Sequence, residues 1–396
     1  MPTELPAPTA DAQAASHELC SHIAARIETG GGWIPFIDFM EMALHLPGLG
    51  YYAGGSHKFG TGEAGGDFVT APELTPLFGQ ALATQVAEVF AVTATPILLE
   101  VGAGSGRLAA DLLPALDALG APPDHYLILE LSGELRARQR ELIRQHAPAL
   151  ADRVEWIDDL PQKFSGCIVA NELLDAIPTH AVAWRPASAG GPMERGVSFD
   201  GARFAWAERP ATGVLREAME RLATESAIEA PFVGELGLPA AAWVAEWGQR
   251  LERGVLLLLD YGLPHKELYH AGRNGGTLRC HYRHNSHDDP FWWPGLSDIT
   301  SHIDFTAIAE AGFDAGLDVL GYTSQATFLI NCGIGELLAA RQLSNDPSMI
   351  RAAGAASVLL SPNEMGELFK VIALGKGIET AKPLRGFARG DRTHAL

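Results

Sequence analysis

The chain has 396 residues, of which 47% are apolar and 19% charged, a balance that supports a large buried core and excludes a disordered chain. Its net charge of −19 speaks against nucleic acid as the main partner, because duplex binding calls for a basic face. Cys20, Cys167, Cys280 and Cys332 lie far apart with no C-x-x-C pair, which excludes a zinc ribbon or a disulfide framework and fits reduced cytosolic thiols.

In chain order, residues up to about Ala15 read as a disordered tail, with acids and prolines but no Lys or Arg, unlike a secretory or transit peptide. With no apolar run long enough to cross a bilayer, a soluble cytoplasmic protein without membrane insertion is expected. Apolar residues at helical spacing predict a helix over Ser16 to Glu28 and another over Phe36 to Leu46. The Gly-rich run from Gly54 to Gly66 reads as a surface loop or a lid. A long helix follows over Thr75 to Val92, with Pro76 in its first turn.

From Pro96 strands and helices alternate. Strands are expected at Ile97 to Val101, Tyr126 to Leu131, Arg153 to Ile157, Gly166 to Ala170 and Val255 to Tyr261, the succession of a parallel sheet with crossover helices. Residues His180 to Arg253 interrupt it. Their first half alternates as β-hairpins do, with Gly190-Gly191 and Asp200-Gly201 as turns, and their second half, with Trp243 and Trp247, reads as helical. A polar stretch, Gly262 to Ser301, reads as a substrate-facing loop. A helix over Phe305 to Ala311 and strands at Val319 to Gln325 and Phe369 to Leu374 close the pattern. The expected organisation is an N-terminal helical segment with a Gly-rich loop (1–95), two halves of an α/β domain (96–179 and 254–380) around an insertion (180–253), and a tail (381–396).

The strongest motif is Glu100-Val101-Gly102-Ala103-Gly104-Ser105-Gly106, which follows a strand and opens a helix. Glycines there allow a tight turn and close approach of a ligand to the backbone. A dinucleotide fingerprint needs a third glycine where Arg107 stands, so an NAD(P)-dependent oxidoreductase is disfavoured. Glu100 would oppose a pyrophosphate and suits the ammonium and sulfonium of S-adenosylmethionine. Glu130, ending the next strand, can accept both hydroxyls of a ribose. Ala103 and Leu131 flank these groups as further cofactor contacts. Asp158 and Asp159 stand where an adenine amino group would need an acceptor, with Asp159 the candidate. Asn171-Glu172-Leu173-Leu174-Asp175 follows the fourth strand, at the strand ends that line the ligand crevice of an open α/β sheet. His281, His284, His287, Asp288 and Asp289 lack metal-ligand spacing outside a helix, which Pro290 and Pro294 disfavour, so no metal site is expected.

These motifs, with GLGYY (Gly48–Tyr52), GDFVTAPELTPLFG (Gly66–Gly79), LDYG (Leu259–Gly262), GTLRCHYRH, SDITSHIDF (Ser297–Phe305) and MGELFKVIALGKG (Met365–Gly377) in this order, resemble the MidA family of class I S-adenosylmethionine-dependent methyltransferases. That family includes a mitochondrial arginine methyltransferase that serves respiratory complex I assembly. The resemblance implies a seven-stranded Rossmann-like α/β sheet with an N-terminal helical segment and an inserted β-hairpin and helical region, and S-adenosylmethionine as cofactor. It also implies methylation of a protein arginine, in the mitochondrial relatives on a complex I subunit. Acids would then hold the guanidinium in paired hydrogen bonds, with Glu172, Asp175 and, beside the Gly-rich loop, Asp67 as candidates. A non-catalytic assembly factor that keeps the fold is the alternative. The oligomeric state is not encoded in any motif.

Overall fold

The computed structural model describes residues 5–54, 70–343, 349–379 and 382–396. The Gly-rich run and Asp67 lie outside the described residues. The chain divides into two compact units, each assembled from three segments: 1–68, 174–241 and 263–304 in one, and 69–173, 242–262 and 305–396 in the other.

The second unit is built on seven strands of an eight-stranded sheet: β1 (Ile97–Val101), β2 (His125–Leu129), β3 (Val154–Ile157), β4 (Phe164–Asn171), β5 (Leu251–Leu263), β6 (Asp318–Ser324) and β7 (Phe369–Lys376), with the two-residue strand Ile303–Asp304 pairing onto β5 as the eighth. The seven lie in the order β6-β7-β5-β4-β1-β2-β3. β4, β1, β2 and β3 pair in parallel, as do β4 and β5, while β7 runs antiparallel to both β5 and β6. The register sets Leu98 of β1 between Cys167 of β4 and Tyr126 of β2. This is the doubly wound sheet expected from the resemblance. Its strand order reverses at β1 and β4, and such a reversal opens a crevice at the carboxyl ends of the strands.

Strands this apolar are buried on both faces, which parallel sheets need helices to achieve. The helix Pro76–Thr93 begins with Pro76 in its first turn and the Thr75 hydroxyl accepting from Leu77 N–H, a start that satisfies one exposed donor and fixes φ for the next turn. It packs with Arg107–Ala118 around Leu82, Val86, Leu108 and Leu112 in the main core. The helix Gly133–His146 starts at Ser132, whose hydroxyl accepts from Leu135 N–H. The described part of the segment 381–396, expected as a tail, is anchored instead, with Leu384 and Phe387 in this core. Leu384 and Phe387 are buried, Asn331 Nδ2 donates to the carbonyls of Gly386 and Arg389, and Tyr322 N–H donates to Asp391.

In the first unit the helix Ala10–Thr29 starts at Thr9, whose hydroxyl accepts from Ala12 N–H, and buries Ser16, Leu19, Ile23 and Ile27. The expected disordered tail therefore becomes helical five residues earlier than Ala15, because a capping threonine precedes the apolar stripe. Antiparallel strands Ile34–Pro35, His180–Trp184, Pro192–Phe199, Phe204–Pro210 and Phe232–Leu236 form a sheet. Its hairpins turn at Gly190-Gly191 and at Gly201, each glycine in the left-handed region. The polar stretch expected as a loop carries a second sheet of three short strands, Arg279–Tyr282 flanked by Asn285–His287 and Asp298–Thr300. Cys280, Tyr282 and Ile299 face inward and supply the apolar contact that so polar a sequence conceals. Among the described residues no helix is long and apolar enough to cross a membrane.

Candidate cofactor site at the strand ends

Three chain turns converge at the carboxyl ends of β1, β2 and β4. The first is the glycine loop after β1. Gly102, Gly104 and Gly106 have φ of 76°, 53° and 86°, a region that L side chains adopt only with strain. Space restricts two of them as well. A Cβ on Gly102 would stand 2.9 Å from Leu173 Cδ1, and one on Gly106 would stand 3.0 Å from the Cα of Gln139. The loop therefore lies pressed between the residue after Glu172 and the helix Gly133–His146. Ser105 donates its hydroxyl to Glu73, and Arg107 N–H donates to Ser105 Oγ at 3.2 Å.

Below the loop, Glu100 is buried in the sheet and accepts a hydrogen bond of 2.7 Å from the Tyr126 hydroxyl. Burial pushes its carboxyl up to about 7, against which the Tyr126 bond pulls it down. Sequence reasoning foresaw an acid here for a cation. The structure adds that this acid is enclosed by protein.

The second turn follows β2. Glu130 is half-buried, and its Oε1 accepts from Ser132 N–H at 2.9 Å while its Oε2 accepts from Gln139 Nε2 at 3.1 Å. A carboxylate offers about four acceptor positions, so two remain for a pair of hydroxyls. Leu131 beside it is 77% exposed, an apolar side chain open to a flat ring. Arg136 fastens this turn to the next: it donates to the Glu130 carbonyl at 2.6 Å, to the Ile157 carbonyl at 3.0 Å and to Asp158 at 2.5 Å. Asp159 is exposed after β3.

The third turn follows β4. Glu172 has φ of 51°, a strained conformation for a non-glycine residue. Its N–H donates to the Leu259 carbonyl at 2.8 Å, and its Oε1 accepts from Ala71 N–H and from Asn171 Nδ2, both at 3.1 Å. The Oδ1 of Asn171 is buried without a hydrogen-bond partner. Buried acceptors are almost always satisfied, so this oxygen has an acceptor position that a water or a bound molecule can fill.

Glu100, Gly102, Ala103, Gly104, Gly106, Glu130, Leu131, Asp159, Asn171 and Glu172 thus all belong to the second unit. Asp175 belongs to the first. There it is buried, its carbonyl accepting from Ser301 N–H. Its charge and that of Asp298 raise the pKa of Tyr52, after burial as the largest cause. The Tyr52 hydroxyl donates to Asp298 at 2.9 Å and its ring stacks on His45. Tyr52 of GLGYY, Asp298 of SDITSHIDF and Asp175 are thereby brought into electrostatic reach of one another. Among the described residues no group of three or more His, Cys, Asp or Glu could hold a metal ion.

Residues 81–323 match a family model described as "Putative S-adenosyl-L-methionine-dependent methyltransferase". The chain belongs to this S-adenosylmethionine-dependent methyltransferase family. A crystal structure of a COG1565 superfamily member from Burkholderia thailandensis, bound to S-adenosyl-homocysteine, is 50% identical with a TM-score of 0.94, over 99% of this methyltransferase and 100% of that chain. Curated relatives named mitochondrial protein arginine methyltransferase NDUFAF7 are 29% identical in Danio rerio, over 90% of this chain and 86% of the relative. In Homo sapiens the identity is 27%, over 89% and 82%. The cofactor of this methyltransferase is S-adenosylmethionine, and the residues at the strand ends fit it. The cradle at Gly102, the two open acceptor positions on Glu130 and the orphaned Asn171 Oδ1 are what a nucleoside carrying an amino-acid tail requires.

Sequence reasoning missed Gln139, Glu73, Tyr126, Arg136 and Leu173. The one signal for Gln139 was its place on the narrow buried stripe of a helix otherwise rich in Arg and Glu, four residues before Ile143.

Proposed function

We propose that this methyltransferase acts on an arginine side chain of a protein, with respiratory complex I subunits as the first acceptors to assay. The observation that carries the reading is the similarity, along about nine-tenths of the chain, to relatives named protein arginine methyltransferase. S-adenosylmethionine supplies an electrophilic methyl group on a sulfonium. The chain's part is positioning and electrostatics. In this reading Gly102, Ala103, Gly104 and Gly106 admit the amino-acid part of the cofactor, with Glu100 as the enclosed acid behind the loop and Asn171 Oδ1 as an acceptor. Glu130 takes the ribose hydroxyls, and Leu131 and Asp159 flank the base.

A guanidinium stays protonated in water and is held best by carboxylates through paired, planar hydrogen bonds. Glu172 is the first candidate for that task. Its backbone strain is the kind stored at functional sites, and Ala71 N–H and Asn171 fix its carboxylate. Asp175 is the second candidate, and Asp67 the third. Drawing positive charge toward one edge of the guanidinium leaves the opposite nitrogen the better nucleophile; the methyl moves from the sulfonium to that nitrogen, S-adenosylhomocysteine leaves, and the displaced N–H proton passes to the carboxylate that holds the guanidinium and on to water.

The test is transfer of tritiated methyl from S-adenosylmethionine to lysate proteins and complex I subunits, followed by amino-acid analysis. Labelled methylarginine is expected from the wild type. Glu172→Ala should retain S-adenosylhomocysteine affinity and lose transfer. Label in lysine or in a small molecule would overturn the arginine assignment, and cofactor binding without any labelled product would favour an assembly role.

A further inference from the structure

Gln139 is fully buried on the helix Gly133–His146 and uses every polar atom of its side chain. Its Oε1 accepts from the indole N–H of Trp156 at 2.7 Å. Its Nε2 donates to the Gly104 carbonyl at 2.9 Å and to Glu130 Oε2 at 3.1 Å. An indole N–H only donates, whereas a carbonyl and a carboxylate only accept, so the amide has one orientation that satisfies all three partners. Those partners come from three different strand ends: the glycine loop after β1, the acid after β2 and β3 itself. The helix that carries Gln139 also lies hard against Gly106, where a Cβ would stand 3.0 Å from both the Cα and the Cγ of Gln139.

We propose that Gln139 is a positioning residue for cofactor binding, which locks the Glu130 carboxylate and the Gly104 carbonyl in the one geometry that receives the nucleoside. The inference rests on the reading that Glu130 holds the ribose. Gln139 acts through Glu130. It occupies one acceptor position on Oε2, as Ser132 N–H occupies one on Oε1, and so prevents the carboxylate from turning about its last bond. Without that lock Glu130 has several rotamers of similar energy, and binding must restore the order that the free protein lost. Trp156 in turn holds the amide in register, with the Arg140 guanidinium over its ring at 4.4 Å.

Isothermal titration with S-adenosylhomocysteine and its 2′-deoxy analogue tests this. The wild type should bind the analogue about tenfold more weakly, the worth of one charge-assisted hydrogen bond. Gln139→Met should weaken S-adenosylhomocysteine binding by about tenfold and shrink the discrimination between the two ligands to about twofold, since a loose carboxylate no longer reads the hydroxyl. Trp156→Phe, which removes the donor that orients the amide together with part of the ring, should move both quantities in the same direction by a smaller amount, and it carries the test if Gln139→Met does not fold. A purely structural role would change the unfolding temperature and leave the ratio of the two affinities untouched. That outcome, in either folded variant, overturns the proposal. A wild type indifferent to the 2′-hydroxyl would instead remove the ribose assignment of Glu130 itself.

Discussion

Glu100 is where burial and ionisation conflict most directly. Its carboxyl lies inside the sheet with the Tyr126 hydroxyl donating to it, and burial raises it from 4.5 to about 7. A folded state that holds its proton more tightly than the unfolded chain loses stability as pH rises between those two values. The contribution is fully present below pH 4.5 and gone above about 7. Glu100→Gln removes this dependence. In urea unfolding of the ligand-free protein, the variant should gain on the wild type between pH 5 and pH 8 by on the order of 3 kcal/mol; a constant difference across that window would contradict the burial argument. The position of Glu100, like those of Gly102, Gly104 and Gly106, was legible in the sequence because it is fixed by counting from an apolar strand into a turn. Gln139 was not, because its role depends on partners 35, 9 and 17 residues away in the chain. Asp175 was legible as an acid at a strand end, but the action of its charge on Tyr52 arises only when distant segments fold together.

The seven main strands of the sheet stood out because each apolar strand alternates with a helix of different period. β1 was placed to the residue, and β5 is longer than expected at both ends, since Leu251 and Leu263 still pair or pack as strand. The strands Arg279–Tyr282 and Asn285–His287 were missed. They are three or four residues long, polar on the outer face, and stabilised by side chains far away in sequence, which local pattern cannot report. The C-terminal segment was missed for a related reason: its packing residues, Leu384 and Phe387, are sparse and fall in a run of glycines and charges. Phe387 is 1% exposed, its ring 5.5 Å from that of Phe328 and tight against Gly321, where a Cβ would come within 2.3 Å of it. Phe387→Ala should lower unfolding stability by about 3–5 kcal/mol, the usual result of emptying so large a buried site. An effect below about 1 kcal/mol in urea denaturation would mean that the segment is the loose tail its composition suggests.

At the scale of the whole molecule, the sequence suggested an α/β domain in two halves, 96–179 and 254–380, around an insertion; in the structure each unit gathers three separated segments. The pairing of Ile34 with Val197, and of Pro35 with Gly196, ties the first and second segments of the first unit together across more than a hundred and fifty residues. Such pairings carry no local signature, because a two-residue strand needs a partner to exist. The second unit is equally non-local, with β5, β6 and β7 completing a sheet begun much earlier in the chain. Its strand order nonetheless brings the glycine loop, Glu130 and Asn171 to the carboxyl ends of β1, β2 and β4, beside the reversal at which open α/β sheets form a ligand crevice. The account turns on that crevice receiving the nucleoside and amino-acid parts of the cofactor. Calorimetric titration of the full chain with S-adenosylhomocysteine, wild type beside Gly104→Val, examines it most directly, since a β-branched residue at φ of 53° distorts the loop that the ligand must approach. The predicted result is saturable binding by the wild type and none by a Gly104→Val protein that still unfolds cooperatively. Equal affinity in the two proteins, or no affinity in a well-folded wild type, would contradict the account.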